Sequence, residues 1–166
     1  IFGFIDSLEA VDMASPGLEF LEGTYFWEGN PRYAQANQSA YDKAYRQAVG
    51  VDDNGASISD ARDVSTYAHM FGCWETLHII KAGMEASSYR GPADRTGLIE
   101  AVEAMTTMPH SHAHPQGDKV FNGRTHQVFG HQYISKVENS RLVLTHTTSI
   151  EDTIYPDEVD YTTQSF

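Results

Sequence analysis

Three imidazoles alternate through His110-Ser111-His112-Ala113-His114. Side chains two apart on a strand share a side, so an extended segment could converge all three on zinc, with His126 or His131 as a fourth ligand. Pro109 and Pro115 flank the segment, however, and no acid or cysteine ligand is adjacent. The prolines favour an irregular exposed loop that binds metal only adventitiously. Nucleophilic catalysis leaves a different trace, a nucleophile positioned by a base. The sequence has no Gly-x-Ser-x-Gly elbow, no P-loop and no Gly-x-Gly-x-x-Gly turn. No enzyme and no cofactor are therefore expected. Asp6 is the best single candidate for a site. It closes the apolar run Ile1-Phe2-Gly3-Phe4-Ile5, which reads as a buried strand. A carboxylate at the carboxyl end of a strand stands where open α/β sheets place their ligands. By pattern alone Asp6 is equally a helix N-cap or a solvated loop acid.

The elements around these residues alternate in type. After Asp6 comes a polar-faced helical stretch near Leu8–Ala14, then a strand-like Gly23-Thr24-Tyr25-Phe26-Trp27. Asn30-Pro31 has helix-start chemistry, and Tyr33, Ala36, Ala40, Tyr41, Ala44, Tyr45 and Ala48 recur at three and four up to Gly50. A loop over Val51–Ser59, marked by Asn54-Gly55, leads to the most apolar helix. That helix carries Met70, Phe71, Trp74, Leu77, Ile80 and Met84 as one expected buried stripe, and Gly83 with Ser87-Ser88 marks its end. Cys73 within it is expected to be a small buried residue. A shorter helix is expected over Asp94–Thr107, with Leu98, Val102 and Met105 on one face. After Gly117 the period changes to two: strands at Lys119–Phe121 and His126–Phe129 precede a hairpin of Gln132–Val137 and Arg141–His146. The acidic, Thr- and Tyr-rich segment from Ile150 to Phe166 reads as a loosely ordered tail.

Composition narrows the partners. The 166 residues, 40% hydrophobic and 11% aromatic, suffice for a real core. Eleven Lys+Arg against 23 Asp+Glu give a formal charge of -12, which repels phosphate backbones and excludes nucleic acid as an expected partner. No run approaches the roughly 20 apolar residues of a membrane helix, so the chain is expected to be soluble. The single cysteine cannot close an internal disulfide. Strand and helix alternation points to an α/β sheet, with ligands at the carboxyl ends of its strands. Opening directly on a core strand, the chain is expected to be a piece of something larger.

The order of segments resembles the C-terminal half of a type I periplasmic solute-binding protein of the branched-chain amino acid and amide family, the receptors of ABC importers. Glu22-Gly23-Thr24-Tyr25 precedes a helix Arg32–Val49, followed by Trp74-Glu75-Thr76-Leu77, Ile80-Lys81-Ala82-Gly83 and Gly117-Asp118-Lys119-Val120-Phe121. Arg124-Thr125-His126-Gln127 and Tyr133-Ile134-Ser135-Lys136-Val137 complete the pattern over roughly residues 1–156. The resemblance implies two Rossmann-like α/β lobes joined by three chain crossings, with the ligand between them. Residues 1–28 would then belong to the C-terminal lobe, 29–130 mainly to helices of the N-terminal lobe and 131–156 to the C-terminal lobe again, leaving 157–166 as a tail.

The resemblance also implies roles. Asp6 would bind the ammonium of a small amino acid. Phe71 and His69 would stand where the cleft receives apolar side chains, although Phe71 also reads as core and His69 as a surface histidine. Tyr25 and Trp27 would line the cleft mouth or fill the hinge core. The partners implied are a small amino acid or amide, an ABC permease and the receptor's first half, in the periplasm or another extracytoplasmic space. Two rivals are a cytoplasmic amide or amino-acid sensor on the same fold and a zinc-dependent hydrolase using His110, His112 and His114.

Overall fold

The structure is a computed structural model describing residues 2–4, 19–29, 40–50, 58 and 68–164. The helical stretch near 8–14, the start of the helix expected from 31, most of the 51–59 loop and Asp6 lie outside these residues. Two β-sheets and three α-helices are described.

The first sheet has the order β1 (Phe2–Phe4), β2 (Tyr25–Glu28), β6 (Tyr133–Glu138), β7 (Arg141–Thr147). β1 and β2 run parallel, and the other pairs are antiparallel. Phe26 points into the core with Val137 and Leu142, where Leu21 packs against them. Its neighbours Tyr25 and Trp27 take the opposite face, each 40% exposed. The β6–β7 hairpin turns through Asn139 and Ser140, both left-handed with φ of 53° and 61°. This is the two-residue turn that right-twisted strands favour. Glu22 clasps it, its carboxylate accepting from the Asn139 and Ser140 amides at 3.1 and 3.3 Å.

The second sheet is the antiparallel set β3 (Thr107–Met108), β4 (Lys119–Asn122) and β5 (Gln127–Gly130), which buries Met108, Phe121 and Phe129. Of the helices, α1 spans Ala40–Val49, α2 Ala68–Ser87 and α3 Arg95–Glu103, the last entered by a 3-10 turn at Pro92–Asp94. The last helix is shorter than expected because Thr107 joins a strand. α2 ends where Ser88 turns left-handed (φ 54°) and the Tyr89 amide donates back to Met84 O at 2.9 Å, closing the last turn.

Four expectations are corrected. Gly83 does not end α2; the helix passes through it, and α3 packs there, since a Cβ would meet Val102 Cγ2 at 2.6 Å and Leu98 Cδ1 at 3.0 Å. The apolar stripe of α2 is not buried as a whole: Phe71 is, but Leu77, Ile80 and Met84 are 66%, 43% and 37% exposed, and Cys73 is exposed. α2 is apolar on more faces than this chain covers, so an apolar pattern alone does not say which face turns inward. The C-terminal segment is not loose either. Tyr155 packs edge-on against Phe129, and Asp157 and Asp160 both bind Arg124. Two carboxylates three residues apart on an irregular segment reach one guanidinium fork, a geometry that period-based reading does not detect.

The close approach at Gly83 is testable. Gly83→Ala should lower stability by about 1–3 kcal/mol in chemical denaturation despite alanine's better helix propensity, because the methyl has no room. Adding Val102→Ala should return part of the loss.

Candidate functional site

β1 and β2 end side by side, and from the end of β2 a set of contacts leads through the 109–118 loop to α2. Glu28 pairs with Tyr133, which is buried. The Tyr133 hydroxyl reaches Gln116 O at 3.4 Å, and a Cβ on Gly29 would lie 3.9 Å from Gln116 Nε2. Gln116 is held in turn by its amide, which donates to Glu75 Oε1 at 2.9 Å. A chain of contacts thus runs from the end of β2 into α2.

Glu75 is the centre of this arrangement. It is 4% exposed, and a carboxylate taken out of water must be paired and hydrogen-bonded. Lys119, at the start of β4, approaches both of its oxygens at 2.9 Å and also donates to Gly117 O at 3.1 Å. The positive φ of Gly117 (110°) lets the backbone fold back against Tyr133 and His131.

His114 lies against the pair. Burial pushes its imidazole below the usual 6.5; Glu75 opposes the shift, while Lys119 and His78 add to it. Its Nδ1 is buried without a hydrogen-bond partner. Beside it, the Trp74 indole donates to His112 O at 2.8 Å, and Trp74, His78 and His112 form a cluster of rings 4.7–6.0 Å apart.

The three loop histidines therefore part company. The segment is not a strand: Ser111 and His114 bond each other's backbone, and Asp118 accepts from the His110 amide at 2.6 Å. His112 packs edge-on against Trp74 and His78 of α2, and His114 faces the Glu75–Lys119 pair. Among the described residues no three His, Cys, Asp or Glu side chains are grouped to hold a metal. The zinc-hydrolase arrangement does not form.

The other expected site residues separate as well. Tyr25 and Trp27 share one partly exposed face of the first sheet, with Lys136 Nζ 5.8 Å above the Tyr25 ring. Phe71 is 1% exposed and presents no surface to a solute in this conformation. His69 lies in the first turn of α2. Glu75, Lys119, Gln116 and Tyr133 went unassigned in the sequence. A lone acid between Phe71, Trp74 and His78 was the available signal, since a carboxylate on an apolar stripe needs a cation.

No protein-family model matches the sequence, and no curated protein does. Solved structures do. The leucine-binding protein LivK from Thermotoga maritima superposes with a TM-score of 0.61 at 11% identity, over 92% of this chain and 44% of that one. An ABC-transporter solute-binding protein from R. palustris, in complex with benzoate, gives 0.55 at 15% identity over 86% and 33%. The fold is that of part of a type I periplasmic binding protein. The chain spans less than half the length of either. Among the described residues no helix is long and apolar enough to cross a membrane.

Two measurements probe the polar junction. Lys119→Met should cost about 3–5 kcal/mol in chemical denaturation, because it strands the Glu75 carboxylate, and Glu75→Gln added to it should restore much of that. His114 binds its proton less readily in the folded state than in the unfolded chain. Its contribution is therefore fully present above pH 6.5 and is lost as pH falls through the lowered folded value. His114→Gln should flatten the loss of stability below pH 6.5; an unchanged slope would mean that this imidazole does not couple to folding.

Proposed function

We propose that the chain is the C-terminal portion of the substrate-binding component of an ABC importer, which captures a small amino acid or amide between two lobes and delivers it to a membrane permease. The observation that carries this reading is the fold, which aligns with two solute-binding proteins over 86% and 92% of the chain. In the proposal, residues 1–28 and the strands after 131 belong to one lobe and residues 29–130 mainly to the other. The solute lies at the carboxyl ends of β1 and β2, where open α/β sheets leave a crevice. Asp6 follows β1 and takes the solute's ammonium group, with Tyr25, Trp27, Phe71 and His69 as further candidates around the cleft.

The named ligands of the two neighbours, leucine and benzoate, both join a carboxylate to an apolar body, which supports a solute of that class. Binding favours the closed lobes by contacts made only there, and no bond is made or broken. The exposed apolar stripe of Leu77, Ile80 and Met84 supports a further partner, the first half of the same receptor, seated on α2. The location proposed is the periplasm or another extracytoplasmic space.

In the full-length receptor, leucine, another branched-chain amino acid or an amide should raise thermal stability, by about 2.7 kcal/mol at a hundredfold excess over Kd. Asp6→Asn should weaken an amino-acid solute about 10- to 100-fold and leave a solute without an ammonium group, such as benzoate, unaffected. A broad screen with no shift would count against the receptor role.

A further inference from the structure

Beyond β7 the chain does not stay with its own sheet. Two passages lie side by side at the junction of the sheets, His131-Gln132 leading into β6 and Thr148 leading out of β7. The Thr148 amide donates to Gln132 O at 2.9 Å, the Gln132 amide donates to Thr148 Oγ1 at 2.9 Å, and His131 Nδ1 lies 2.7 Å from Thr148 O. The chain then turns onto the three-stranded sheet and is fastened at its far end. Asp157 accepts from Asn122 Nδ2 at 2.6 Å and from Arg124 at 3.2 Å, and Asp160 accepts from Arg124 Nε at 3.0 Å. The Tyr161 amide donates to Arg124 O at 2.7 Å, and its ring stacks on His126 at 5.0 Å.

One exposed ion pair contributes little. Here two carboxylates share one guanidinium, beside a backbone bond and a stacked ring, so the anchor is a network. Between its two ends Tyr155 packs edge-on against Phe129. A solvent-open cavity of about 360 Å³ lies along it, lined by Glu103, Phe121, Arg124, Phe129, Ile154 and Thr162. A segment whose far end is fastened largely through one arginine is one that can be released as a unit.

We propose that residues 148–164 are a strap across the hinge, anchored by Arg124, that restrains the angle between the two lobes. The inference rests on the receptor reading, in which the sheets belong to different lobes. A receptor of this kind is expected to have three crossings, and the passage at Thr148 is additional to the one at His131-Gln132. With its far end anchored, this passage constrains rotation at the junction. Released, it no longer ties the two sheets together, and more interlobe angles become accessible.

The test uses two spin labels in the full-length protein. One is on Cys73, exposed on α2 and coupled to the three-stranded sheet through Glu75 and Lys119; the other is on an introduced His146→Cys, exposed on β7. Arg124→Ala should speed hydrogen exchange at the Tyr161 amide at least about tenfold and broaden the distance distribution between the labels. Asp157→Asn with Asp160→Asn, which removes the same contacts from the tail side, should do the same. Unchanged Tyr161 exchange in both variants would remove Arg124 as the anchor. Faster exchange with an unchanged distribution would show that the tail restrains nothing. Either result overturns the strap, whereas the receptor reading fails on a separate observation, a solute screen of the unaltered protein.

Discussion

A carboxylate buried in the middle of an apolar helix is the constraint from which the junction is built. Glu75 on α2 is cut off from water and must be supplied with a cation and a donor from elsewhere in the chain. Lys119 and the Gln116 amide supply them from more than 40 residues away. Satisfying one buried charge therefore fixes three things together: the face α2 turns inward, the start of β4, and the fold of the 109–118 loop between them. Gln116, held in this way, meets Tyr133 of β6, which pairs with Glu28 at the end of β2. The edge of the first sheet where a solute is proposed to sit is thus coupled to the helical part of the molecule through hydrogen-bonded atoms. Buried ion pairs are weak contributors to net stability but punish any arrangement that separates the partners, and this one suits a junction that has to be unique.

How far the sequence disclosed this differs by element. The hairpin at Asn139-Ser140 was legible because a period of two and a turn residue are both local signals, and β4 and β5 were legible for the same reason, whereas Thr107 of the two-residue β3 was read as the end of a helix. α2 was legible as a helix, but its buried face was not. Periodicity records that a face is apolar and not what covers it, so Leu77, Ile80 and Met84 looked like core while the inward position belonged to Glu75. The histidine run shows the converse. Alternation suggested a shared face, yet the prolines at 109 and 115 break the extended geometry that the convergence needed, and His112 and His114 turn to different neighbours. Nonlocal partners such as Lys119 for Glu75 or Arg124 for Asp157 and Asp160 leave no periodic trace.

The same limits govern the site. The resemblance was carried by short pieces in a fixed order, among them Trp74-Glu75-Thr76-Leu77 and Gly117-Asp118-Lys119, whose buried contact is now visible. Those pieces hold the architecture together. The solute contacts proposed for Asp6, Tyr25 and Trp27 depend on the other lobe wall, and at identities of 11% and 15% the solved neighbours speak to fold alone.

The central claim is that a small solute binds in the crevice at the carboxyl ends of β1 and β2. The most direct measurement is a crystal structure of the full-length protein grown with leucine. The account predicts density for the amino acid in that crevice, its ammonium within about 3 Å of the Asp6 carboxylate. Leucine bound elsewhere, or Asp6 turned away from a solute in the crevice, would contradict it.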